Sequence, residues 1–135
     1  VLLPEDDAAT VNWGSEWRMP TYDEVVELID GCDWNWVESY MNVKGKGFVG
    51  KSKANGNVIF LPAAGYYVES RHECFVDRDR WENGIQGNYW SSTLLPESSD
   101  RNLAFFFYSY ILDEVNILHS IRYVGNSVRA VVNNK

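Results

Sequence analysis

From Cys32 onward the sequence breaks into short runs. Gly45, Gly47, Gly50, the Asn55-Gly56 pair and Gly65 interrupt it, leaving stretches such as Phe48-Val49 and Val58-Ile59-Phe60-Leu61 between turns. Asn55-Gly56 lies between Lys51-Ser52-Lys53 and Asn57-Val58-Ile59. It reads as a hairpin, because both turn residues tolerate positive φ. Strand signals resume at residues 88–91, 103–110, 114–117 and 127–132, while 69–88 is polar, rich in Arg, Asp and Glu, and reads as a surface excursion.

The first forty residues carry the opposite signal and read as helical. Pro4 and the acids Glu5, Asp6 and Asp7 precede Ala8-Ala9-Thr10-Val11, a start that suits the helix dipole, and Gly14 is the expected stop. Thr21-Tyr22-Asp23-Glu24 is a capping box, in which Thr21 and Glu24 satisfy each other's backbone donors. Val25, Leu28 and Ile29 then fall on one buried stripe, and Gly31 ends the helix. Two N-terminal helices followed by many short antiparallel strands and long loops predict an α+β fold.

The 135 residues fit a single domain over 1–135, and six Trp, eight Tyr and six Phe provide for a real core. A net charge of −7 without clustered Lys or Arg lacks the footprint of a nucleic-acid binder, so no nucleic-acid partner is expected. The longest nearly apolar run, Val58 to Val68, contains Pro62 and Gly65 and falls short of a membrane span, so no membrane insertion is expected. Cys32 and Cys74 allow one disulfide or none. The chain starts at Val1 and reads as a trimmed or processed piece, which leaves any address signal unread.

Several motifs occur in a specific order. They are Asp7-Ala8-Ala9 through Asn12-Trp13-Gly14, then Trp17-Arg18-Met19-Pro20-Thr21 with Glu24 and Leu28, and Cys32-Asp33-Trp34-Asn35-Trp36. Gly56-Asn57-Val58-Ile59-Phe60-Leu61-Pro62-Ala63-Ala64-Gly65-Tyr66 follows, then Tyr89-Trp90-Ser91-Ser92-Thr93 and Gly125-Asn126-Ser127-Val128-Arg129-Ala130-Val131. This series resembles the Fibrobacter succinogenes major paralogous domain. The resemblance implies a C-type-lectin-like fold of the formylglycine-generating (sulfatase-modifying) variety, in an extracellular or cell-surface bacterial module. The same residues have a plain scaffold reading. Trp13, Trp17, Trp34, Trp36 and Trp90 offer large buried area with indole N–H groups that need partners, and Arg18 and Arg129 are candidate ion-pair partners for helix acids such as Glu24.

Catalytic patterns are thin. The oxidases of the formylglycine-generating type use a cysteine pair near the chain end, and nothing after Cys74 is a cysteine here. The calcium motifs of sugar-binding C-type lectins are missing, and Leu95-Pro96-Glu97 does not replace them. No G-x-S-x-G, P-loop or G-x-G-x-x-G occurs, and His72-Glu73-Cys74 with Asp77 reads as a solvated charged loop. No catalytic residue, metal or cofactor is expected.

Residues 94–124 differ from the rest. Only Glu97 and Glu114 there belong to the set Lys, Glu, Gln, Met and Trp, which supplies 21 of the 93 residues before. Codons ending in a pyrimidine cannot encode that set, and diversity-generating retroelements that randomise adenines in Asn-type codons leave the same depletion. Their known targets resemble C-type-lectin-like domains, varied just before the chain end. Tyr108, Tyr110, Leu112, Ile117, Leu118, His119, Ile121 and Tyr123 are therefore the candidate ligand-binding residues for an unidentified protein or glycan. A plainer reading makes Leu103 to Tyr108 a core strand. The expected function is non-catalytic ligand recognition by a surface, secreted or virion-associated adhesin-like protein. A structural spacer domain is the alternative, and a formylglycine-generating-type enzyme comes third.

Overall fold

The computed structural model describes residues 1–42, 45–68, 71–73, 85–96, 102–111 and 115–133. They form a small α+β protein with two helices and antiparallel sheets. Helix α1 spans Ala8–Trp13. The Asp7 carboxylate caps it by accepting from the Ala9 N–H at 2.9 Å and the Thr10 N–H at 3.0 Å. Gly14 closes it at φ 95°, a conformation that costs glycine little. A two-residue strand β1, Trp17–Arg18, leads to α2, Tyr22–Gly31, whose N-terminus carries the full Thr21/Glu24 capping box.

Helicity stops earlier than the expected forty residues. Directly after α2 the chain turns into β2, Cys32–Val37. Trp34 and Trp36 alternate with exposed Asp33 and Asn35, a period of two that suits a half-buried strand. β3, Gly47–Ser52, lies between β2 and β4, Val58–Pro62, in an antiparallel three-stranded sheet. The β3–β4 turn contains Asn55-Gly56, with Gly56 at φ 72° and its N–H donating to the Ser52 carbonyl at 2.9 Å. On β3, Gly50 has no side chain because the Trp34 ring lies against it: a Cβ there would stand 2.7 Å from the ring.

β5, Tyr66–Val68, and β6, Arg71–Glu73, pair antiparallel. The long β7, Gln86–Leu94, pairs with β8, Leu103–Tyr110, which pairs with β9, Asn116–Ile121. The expected excursion over 69–88 is thus partly sheet. Gln86, Gly87 and Asn88 are buried in β7, paired opposite Tyr110, Ser109 and Tyr108, while 74–84 lie outside the described residues. Near the end, β10, Val131–Val132, returns to β1, with Trp17 opposite Val132 and Arg18 opposite Val131. The rest of the expected last strand runs in extended backbone beside β7, where the Trp90 N–H donates to the Ser127 carbonyl at 3.0 Å.

The core gathers Val25 from α2, Leu61 from β4, Tyr89 from β7 and Phe107 from β8, with Ile29, Trp34, Ile59, Val115 and Ile117 packed around them. Three tryptophans have partners for their indole N–H groups, and of these Trp34 packs against the core cluster. Trp34, Trp36 and Trp90 donate their indole N–H groups to the Ile29 carbonyl, the Glu38 carboxylate and the Val124 carbonyl, at 3.2, 2.9 and 3.2 Å. Trp13 and Trp17 differ from the sequence reading. Both are exposed, because α1 is short and packs through Ala9 rather than its indole.

Candidate functional site

Strand parity governs where the candidate residues go. In the β7–β8–β9 sheet, Tyr89, Phe107 and Ile117 stand opposite one another in register, as do Trp90, Phe106 and Leu118 one position along. Directly opposed residues share a face, and neighbours along a strand alternate. One face therefore carries Tyr89, Phe105, Phe107, Ile117, His119 and Ile121, and the other carries Asn88, Trp90, Phe106, Tyr108, Tyr110 and Leu118. The first face lies against α2 and the core, so it is the inner one.

The candidate set is divided by this parity. Ile117 packs against the core cluster, a correction to its expected outward position. His119 also belongs to the inner face but sits exposed on edge strand β9, its ring edge-on to Phe105 at 6.2 Å, and Ile121 is half-buried. Tyr108, Tyr110 and Leu118 share the outer face, where both tyrosines are half-buried and Leu118 is 41% exposed. Tyr123 follows β9 in a turn and is 70% exposed. Leu112 lies outside the described residues. On the outer face, Gln86 Nε2 donates to Asn88 Oδ1 at 2.9 Å, and Asn88 Nδ2 donates to Asn126 Oδ1 at 3.4 Å. Asn126 Nδ2 ends this amide chain buried and without an acceptor among the described residues.

A second feature was not foreseen from the sequence. A cavity of about 530 Å³ opens between α2, the β3–β4 hairpin and residues 129–131. Its walls include Val25 and Leu28 of α2, Ile59 and Leu61 of β4, and the core rings Tyr89 and Phe107. The Tyr89 hydroxyl donates to the Pro62 carbonyl at 2.6 Å, and burial pushes its ionisation well up, so it stays neutral. Cys32, a free and half-buried thiol on the wall, is likewise pushed up by burial, and its would-be partner Cys74 lies outside the described residues. Arg129 was expected to pair with a helix acid. It is instead exposed at the cavity, without an ion pair among the described residues. No pattern along the chain announces such a cavity, since its walls come from five separate places along it.

Glu24 takes the other arginine. Arg18 Nη1 and Nη2 grip its two carboxylate oxygens at 2.7 and 2.6 Å, a bidentate pair. Those bonds, with the Thr21 N–H, hold the Glu24 carboxyl down to about 2 from its ordinary 4.5. A depressed carboxyl stabilises the fold above its unfolded value and loses that contribution as pH falls through the folded one. The pair should therefore support stability above about pH 4.5 and lose its effect toward pH 2, a loss limited to about 1 kcal/mol by solvent screening. In Arg18→Gln, NMR titration should return Glu24 toward 4.5; a titration unchanged from the wild type would refute the assignment.

Among the described residues no three His, Cys, Asp or Glu side chains come together to hold a metal ion. No helix of the described residues is long and apolar enough to cross a membrane. No family model, no curated protein and no solved structure matches this chain.

Proposed function

We propose that the chain is a non-catalytic ligand-recognition module of a bacterial surface, secreted or phage protein, built on a C-type-lectin-like fold like that of the Fibrobacter succinogenes major paralogous domain. Its ligand is a protein or glycan, bound through residues 94–124. The observation that carries this reading is the exposure of Leu118 and Tyr123, two large apolar side chains on and just beyond β9, the edge strand of its sheet among the described residues. Tyr108 and Tyr110 extend the same sheet face inward from Leu118. Tyrosine and branched aliphatic side chains supply contact area at low entropic cost. Depletion of Lys, Glu, Gln, Met and Trp over the same window supports a surface diversified by a retroelement.

The test is binding of the wild type and the double variant Leu118→Ser/Tyr123→Ser to arrays of bacterial surface glycans and purified surface proteins. Both positions are exposed, so the variant should fold as the wild type does. A ligand held by the wild type should be lost roughly tenfold or more in the variant. Equal binding by both proteins, or no ligand on either array, would overturn the reading.

A structural spacer domain is the second reading, and one observation favours it. Val11, Trp13, Trp17 and Val132 are exposed where α1, β1 and β10 meet, and Trp17 and Val132 are register partners. Such a patch suits packing against a neighbouring domain.

A further inference from the structure

The cavity beside α2 reaches into the core instead of skirting it. Val25, Leu61, Tyr89 and Phe107 form the central cluster, and all four also line the opening. Ligand sites open to solvent run to roughly 300–1,000 Å³. About 530 Å³ falls within that range.

Its polar groups are nearly all committed. Glu24 is held by Arg18 and Thr21, and the Tyr89 hydroxyl by the Pro62 carbonyl. The Ser52 hydroxyl accepts from the Ala54 and Asn55 N–H groups. Cys32 stays a neutral thiol, and Glu27 stands exposed on α2 at the rim. That leaves Glu27 at the rim and the Arg129 guanidinium, which makes no ion pair among the described residues and whose charge acts on the buried Tyr89 hydroxyl.

We propose that this cavity binds a fatty-acid-like ligand, a single acyl chain ending in a carboxylate, with the chain against Val25, Leu28, Ile59, Leu61 and Phe107 and the carboxylate on Arg129. An apolar chain in the interior gains from every methylene removed from water. A carboxylate at the exposed guanidinium gains charge-assisted hydrogen bonds while keeping part of its hydration. An ammonium head would meet Arg129 with like charge, and an alcohol would forgo the ionic bond. The protein's net charge of −7 repels anions at long range, so selection for the acid has to come from Arg129 at contact. This site is separate from the outer sheet face, and either can fail without the other.

Titration calorimetry with decanoate, kept far below its micelle concentration, and with decanol tests it directly. The wild type should bind one decanoate, and decanol roughly tenfold more weakly. Arg129→Gln should lower decanoate affinity about tenfold and leave decanol unchanged. Leu28→Trp, which fills the cavity from the helix side, should abolish both; should it not fold by circular dichroism, Ala54→Trp at the exposed rim replaces it. Absence of decanoate binding to folded wild type would overturn the proposal. So would equal affinity for acid and alcohol, an Arg129→Gln variant that binds decanoate as the wild type does, or undiminished binding by the folded cavity-filling variant.

Discussion

Phe107→Ala is expected to cost about 3 kcal/mol of folding stability. The ring is 2% exposed, lies 5.3 Å from the Trp34 ring, meets Tyr89 edge-on at 6.2 Å, and joins α2 to both three-stranded sheets. Truncating a buried phenylalanine costs about 3–5 kcal/mol, and the lower end applies because part of the ring already borders the cavity and has fewer atoms to lose. Urea unfolding should show a lower midpoint with an unchanged slope. Phe107→Leu, which keeps most of the volume, should lose only about 1 kcal/mol. A Phe107→Ala loss below that of the leucine variant would mean that the three layers do not meet on this ring.

Asp7→Ala should destabilise the fold by about 2–3 kcal/mol, well beyond an ordinary cap deletion. The carboxylate is buried and accepts three backbone N–H groups: those of Ala9 and Thr10 in the first turn of α1, and that of Met19 at 2.9 Å after β1. Removing it orphans the buried Met19 N–H as well as the helix end, and leaves α1 tied to β1 only through bonds such as that from the Thr10 hydroxyl to the Trp17 carbonyl at 2.8 Å. Asp7→Asn retains one acceptor oxygen and should recover about half of the loss. Hydrogen exchange should show the Met19 amide losing its protection in Asp7→Ala while that of Phe107 persists at the level set by the new global stability. An alanine variant as stable as the wild type would show that the link between α1 and Met19 carries no energy.

These two residues illustrate what was readable in advance. Asp7 was legible, with Pro4, Glu5 and Asp6, as part of an acidic helix start because the helix dipole is local, whereas its capping bonds and its grip on Met19, twelve residues away, were not. Phe107 was legible as core because a run of Leu, Ala and three Phe has few other places to go. The candidate set is divided at a finer level. Its eight residues were chosen by composition, and a strand turns every second one to the opposite side, so Ile117 reached the core while Leu118 reached solvent. Arg18 and Arg129 were alike as arginines near aromatic motifs, yet only Arg18 sits within reach of Glu24.

Local chemistry along the chain was enough to determine the two capped helices, the Asn55-Gly56 hairpin and the α+β class, because each rests on contacts a few residues apart. The tertiary structure alone decided which sheet face meets α2, that Trp13 and Trp17 stand in solvent, and that a cavity opens in the core beside Arg129. Those outcomes depend on strand register and on the meeting of residues 20–32, 52–61 and 129–131 with Tyr89 and Phe107, distances that no short-range pattern encodes.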